Sequence, residues 1–266
     1  MPWIEVGAGA LHFDRWGDVS LPPVLLLHEL GGSALSWQCL QESFHDRCLY
    51  GLELRGAGLS EKIPGPFTVK DLAVDAAEFM QAARPNEEWD VFGVALGGFV
   101  AIAVAANEPK VVRSVCACEV VIDLGNKAKK YILQRAETVS REGMRSSLMP
   151  SLRNSFPEGT PMPGDAFRQQ YFLHWRSHDP EAYAELSRAL AACDPSQIDL
   201  AAISAPTLVL FGALDFLWRP QEAEAVARKL GDGHFALLPN AGHLPHIQNP
   251  AAFAAAVRAF WKDGTA

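Results

Sequence analysis

Short apolar runs recur along the chain, each closed by glycine or a polar turn: Val24 to Leu27, Cys48 to Leu54, Trp89 to Gly93, Val111 to Cys118, Thr207 to Phe211 and Phe235 to Leu238. A run that is apolar at successive rather than alternate positions suits a strand buried on both faces of a parallel sheet. Between several of these runs lie stretches with helical apolar spacing, including Val69 to Ala83, Gly97 to Asn107, Gln221 to Lys229 and Ala251 to Trp261. Strands alternating with helices of that length imply right-handed crossovers. The predicted fold class is therefore α/β, a mostly parallel sheet of about eight strands with helices on both faces. An N-terminal hairpin, Trp3 to Val6 and Leu11 to Arg15, is predicted to precede it around Gly7 and Gly9.

The alternation breaks between residues 122 and 200, where the chain turns helical and polar, with Pro/Gly-rich joints at Pro157 to Gly164 and no strand pattern. The expectation is a helical cap inserted after the sixth strand, with residues 1–121 and 201–266 forming the core around it. Loops and insertions at the carboxyl ends of parallel strands surround the usual ligand crevice, which makes such a segment a natural lid. The plainer alternative is a solvated helical appendage with no ligand role.

Composition narrows the partners. The chain has 266 residues, 49% of them hydrophobic, and a formal net charge of −8. An acidic balance opposes binding to nucleic acid or anionic lipid, both of which need clustered Lys and Arg. No apolar run approaches the roughly 20 residues that cross a bilayer, and Met1 to Glu5 lacks the basic start and apolar stretch of a signal peptide. These features predict a soluble, cytoplasmic protein with neither nucleic acid nor membrane as partner. The five cysteines form no repeated CxxC pair, and Cys116 and Cys118 sit at alternate positions of one apolar run, so core thiols are expected rather than a metal site or disulfides. No metal, nucleotide or flavin is implied, since neither GxGxxG nor GxxxxGK[ST] is present.

Candidate chemistry centres on Gly93-Val94-Ala95-Leu96-Gly97, which follows a strand and opens a helix. Small flanking residues permit a strained turn that lifts the central side chain above the sheet, the form of a nucleophile elbow. The central residue is alanine, and a methyl group cannot attack a carbonyl. Downstream, Asp215 follows one buried strand in Gly212-Ala213-Leu214-Asp215, and His243 follows the next in Asn240-Ala241-Gly242-His243. Such an acid can orient an imidazole that takes a proton from an attacking group. Upstream, His28-Glu29-Leu30-Gly31-Gly32 closes a central strand with a loop able to aim N–H groups at a developing oxyanion.

With these segments and the turn Glu53-Leu54-Arg55-Gly56-Ala57-Gly58-Leu59-Ser60, all in order, the chain resembles the α/β-hydrolase family over nearly its whole length, in the branch of lid-bearing esterases, enol-lactonases and carbon–carbon bond hydrolases. The resemblance implies oxyanion N–H groups from Leu30 and Leu96, a catalytic Asp215 and His243, and a nucleophile at position 95, usually serine. Three departures stand out: Ala95, Glu29 where the family usually has glycine, and Glu53 where it usually has aspartate. Glu53 reads as a conservative change in a scaffold turn. Glu29 could repel an anionic intermediate, bind a polar substrate group or pair with a base.

The expected activity of the serine form is hydrolysis of a carboxylic ester or lactone through an acyl-enzyme, Ala95 being a replacement that holds substrate. The alternatives are amide or carbon–carbon bond hydrolysis on the same triad, or a native alanine giving a ligand-binding protein or a lyase-like catalyst working through His243. Glu119, at the end of the strand beside the elbow, is a second candidate for the triad acid and for the pocket. Trp37, His174 and Trp175 are candidate pocket walls, while His28 and His246 are expected to brace the loops that carry them.

Overall fold

Eight strands form one sheet in the computed structural model, which describes residues 2–161, 164–194 and 198–264. They are β1 (Trp3–Val6), β2 (Gly9–Trp16), β3 (Pro23–Leu27), β4 (Cys48–Leu52), β5 (Trp89–Val94), β6 (Val112–Cys118), β7 (Thr207–Gly212) and β8 (Gly233–Leu238). Their spatial order is β1-β2-β4-β3-β5-β6-β7-β8. β1 pairs antiparallel with β2, and β2 with β4; every later pairing is parallel. All positions of β3, β4, β5 and β7 are buried, which is why their sequences are apolar without alternation. The edge strand β1 instead alternates exposed and half-buried positions.

The helices are α1 (Val69–Ala83), α2 (Leu96–Asn107), α3 (Gly125–Glu142), α4 (Arg145–Ser155), α5 (Asp165–Ser177), α6 (Pro180–Ala192), α7 (Pro220–Ala227), α8 (Pro245–Gln248) and α9 (Pro250–Gly264). α1 starts where Thr68 and Asp71 cap one another's backbone N–H groups. α2 packs against β5 and β6 on one side and α1 on the other, so it is apolar nearly all round. α3 to α6 all lie between β6 and β7, and α3 runs along α6.

A buried carboxylate holds one of the loops above the sheet. Glu53 receives a hydrogen bond from the Leu59 N–H at 2.6 Å and faces His12 Nδ1 at 3.0 Å, so the longer carboxylate braces the turn after β4. Cys116 and Cys118 are fully buried free thiols in β6, and burial pushes both thiols up, away from the reactive thiolate form.

Candidate active site

The strand ends at the carboxyl edge of the sheet bring the site together. β5 runs into α2 through Ala95, whose φ of 51° and ψ of −113° are costly for any residue with a Cβ. The tight turn exists because its neighbours are glycines: a Cβ on Gly93 would fall on the Gly97 carbonyl, and one on Gly97 on the Leu27 carbonyl. Ala95 N–H donates to the Cys118 carbonyl at 2.9 Å, fixing the elbow to β6. Leu96 is the first residue of α2, so its N–H belongs to a helix N-terminus without an intrahelical acceptor.

The loop after β3 is set by His28. Leu54 N–H donates to His28 Nε2 at 3.1 Å, which places the ring proton on Nδ1 for donation to the Glu29 carbonyl at 2.8 Å. Gly32 N–H donates to the same carbonyl at 2.9 Å. In a trans peptide the N–H points opposite the C=O, so this double anchor turns the Leu30 N–H away from both donors. Leu30 itself lines the cavity below.

Asp215 and His243 meet through a short Oδ2 to Nδ1 hydrogen bond. Asp215 Oδ1 also accepts from Leu217 N–H at 2.6 Å and Trp218 N–H at 2.8 Å. Burial works to raise the Asp215 carboxyl, but the His243 charge and these hydrogen bonds outweigh it and hold the group below its usual range. The edge of Phe216 meets the His243 ring at 5.2 Å between centroids, and Trp218 lies at 6.0 Å.

Ala95, Leu30, Glu29 and His243 all line one cavity, roofed by Tyr131, Ile132 and Arg135 of α3, Ser151 and Ser155 of α4, Tyr171 and Trp175 of α5 and Leu190 of α6. Its volume is about 40 Å³. A surface hollow of about 320 Å³ between α1 and the start of β5 includes none of Ala95, Asp215 and His243. Glu29 is buried, with Oε1 accepting from Tyr171 Oη at 2.8 Å and Ser36 Oγ at 2.9 Å, and with His246 Nε2 3.6 Å from Oε2. Burial would raise its carboxyl, but the His246 imidazole, helped by His28, prevails and brings it to about 2, so it is ionised. Glu29 thus ties α5 to the loop after β3.

Three residues expected in the pocket lie elsewhere. Trp37 is fully buried against His246 and Phe253, part of the core beneath the loop rather than a cavity wall. His174 turns away from the cavity, with Nδ1 3.3 Å from Ser33 Oγ. Glu119 is fully buried below the site, its Oε1 accepting from Gly212 N–H at 2.7 Å. Trp175 does face the cavity, with its Nε1 donating to Ser147 Oγ at 3.3 Å. Phe216, Trp218, Tyr131 and Arg135 were not singled out from the sequence. The first two could have been, because they directly follow Asp215, while Arg135 gave only the weak signal of lying one helical turn after Tyr131.

Glu119, Asp215 and His243 place ligand-type atoms within 4.8 Å of one another, the one such metal-compatible cluster among the described residues. Gly212 N–H engages Glu119 Oε1, and Asp215 and His243 engage each other, while Glu119 Oε2 is buried without a hydrogen-bond partner. No helix among the described residues is long and apolar enough to cross a membrane.

A family model described as "Alpha/beta hydrolase family" matches residues 24–256. The 3-oxoadipate enol-lactonase 2 of Acinetobacter baylyi is 24% identical over 259 residues, covering 95% of this chain and 93% of that protein. A pimeloyl-[acyl-carrier protein] methyl ester esterase of Neisseria meningitidis is 26% identical over 214 residues, covering 75% of this chain and 78% of the other. The crystal structure of the enol-lactonase from Burkholderia xenovorans LB400 superimposes with a TM-score of 0.85 at 23% identity, covering 98% of this chain and 100% of that one, a likeness of fold.

Proposed function

The chain belongs to the alpha/beta hydrolase family, and from that premise we propose that it is built to hydrolyse a carboxylic ester or lactone of a small molecule, with serine as the working residue at position 95 and Ala95 a replacement that holds substrate without being acylated. The observation that carries this reading is that His243, oriented by buried Asp215, shares one cavity with residue 95 at a strained elbow. In the serine form His243 takes the hydroxyl proton as the oxygen attacks the acyl carbonyl, and Asp215 stabilises the imidazolium that results. The N–H groups of Leu30 and Leu96 receive the oxyanion. Expulsion of the alcohol leaves an acyl-enzyme, which water then opens with His243 as base. Residues 122–200 act as the cap over this centre, and residues 1–121 and 201–266 as the catalytic core.

The test is Ala95→Ser. A fluorophosphonate probe should label the variant and not the alanine chain, and p-nitrophenyl acetate turnover should rise by about a millionfold, the usual loss when a triad nucleophile is removed. A variant that is neither labelled nor active overturns the hydrolase reading. Running the same variant against amide and diketone substrates separates amide and carbon–carbon cleavage from ester cleavage. One observation favours a second reading, in which alanine is native and the site binds ligands or acts through His243 alone: ionised Glu29 lies in the same cavity, where its charge would oppose an oxyanion. An inert Ala95→Ser variant is the outcome that reading predicts.

A further inference from the structure

One cationic side chain at the cavity has no counter-ion. Arg135 projects from α3 into the same cavity that Ala95 and His243 line. Its guanidinium lies over the rings of Tyr131 and Tyr183, with Cζ 5.3 and 5.6 Å from their centroids, and Nη1 donates to Ser151 Oγ at 3.0 Å. Nε is buried without a hydrogen-bond partner. Among the described residues Arg135 is the one arginine that is neither exposed nor within ion-pair distance of a carboxylate; Arg15, Arg145, Arg153 and Arg176, which also lack one, are all exposed. Glu29, the other full charge at the cavity wall, is held at Oε1 by Tyr171 and Ser36, while its Oε2 lies 3.6 Å from His246 Nε2 without a hydrogen bond; neither oxygen is within ion-pair distance of Arg135.

A buried guanidinium N–H without an acceptor is costly, and the cost is recovered when an acceptor arrives. The tyrosine rings fix the plane of the fork and favour the cation, but neither supplies the anionic oxygens that a guanidinium binds best. The planar match to such a group is a carboxylate, which can take two parallel N–H donors at once.

We propose that Arg135 is the carboxylate-binding residue of this cavity, and that the substrate is an ester or lactone bearing a second, free carboxylate, seated on the Arg135 guanidinium while its acyl carbonyl lies over position 95. The substrate class is then the half-esters and lactones of dicarboxylic acids. This rests on the hydrolase reading for the placement of the acyl group, but the carboxylate site stands on Arg135 alone.

Isothermal titration of the alanine chain separates the two. The monomethyl esters of succinate, glutarate and adipate are titrated alongside their neutral dimethyl esters. At least one half-ester should bind about 30-fold or more tighter than its diester, the scale set by a desolvated charge pair. That ratio should collapse towards one in Arg135→Gln and remain partly in Arg135→Lys, which keeps the charge and loses the fork. Circular dichroism identifies any variant that has failed to fold, and the ratio is then read from the lysine variant alone. Equal affinities for half-ester and diester, binding of neither, or a ratio unmoved by Arg135→Gln overturns the proposal. If Ala95→Ser cleaves neutral esters while the chain shows no half-ester preference, only the carboxylate site falls. If the preference is present and Ala95→Ser is inert, only the hydrolase reading falls.

Discussion

Glu119 and Asp215 are two carboxyl groups in one buried cluster, and their surroundings push them apart. Asp215 keeps its charge through His243 and two backbone N–H groups, whereas burial, followed by the nearby Asp215 charge, pushes Glu119 well above the usual carboxylate range. Two anions so close in a dry site cannot both form, so Glu119 is the protonated member. In an Ala95→Ser background, Asp215→Asn should lower kcat by about ten-thousandfold. Glu119→Gln, which keeps the shape of the protonated acid, should stay within about tenfold of its parent. Esterase kinetics on the two variants checks the assignment, and the reverse order would make Glu119 the orienting acid. The sequence placed both acids at strand ends and so exposed the choice between them. It could not show the proton on Glu119, because that depends on a contact across two strands. Trp37 and His174 failed for a related reason: aromatic spacing marks a face of a turn, and which face meets the cavity is decided by packing from distant segments such as Phe253 and Ser33.

At the scale of elements, single polar side chains fasten the segment between β6 and β7 to the core, and His178 is one of them. Placed just after α5, it accepts from Gly58 N–H at Nδ1 (3.4 Å), so its proton sits on Nε2 and is donated to the Gly31 carbonyl at 3.1 Å. The ring thereby joins α5 to both the loop after β3 and the turn after β4. Burial lowers its pKa to about 4 from an unfolded value of 6.5. A histidine lowered on folding favours the neutral form, so its contribution is complete above about pH 6.5 and fades as the pH falls through about 4. The expected outcome is a component of about 2–3 kcal/mol in the acid loss of stability, read from urea midpoints between pH 7 and pH 4. It should be missing in His178→Asn, which keeps a neutral side chain at all these pH values. An unchanged pH slope in that variant would rule out the strut. This junction was not legible beforehand, although the surrounding elements largely were. Continuous apolar runs located the strands because burial on both faces leaves no other pattern, while the joints between helices rely on single polar side chains with no periodicity to mark them.

For the molecule as a whole, the fold class and the family were readable because five short segments follow in order along the chain, each tied to a strand end, whereas the spatial order of the strands was not. The helical segment between β6 and β7 was readable only as a region without strands. Its helices present Tyr131, Arg135, Tyr171 and Trp175 inward, a convergence that exists only in three dimensions. That convergence also sets the size of the space they enclose. A cavity of about 40 Å³ holds roughly three water molecules at about 10–15 Å³ of probe-occupied volume each, while small-molecule pockets run to several hundred. A dicarboxylic half-ester is larger than this space, so its association is expected to wait on the helices parting. In stopped-flow fluorescence, with tryptophans 175 and 218 at the cavity as reporters, the observed binding rate of the alanine chain should level off with rising ligand concentration. The plateau would be the rate at which the helices above the cavity part, a ceiling on turnover set by the roof rather than by the residue at the elbow. A rate that climbs linearly to the highest concentrations would mean that the closed form seen here is not the one ligand meets.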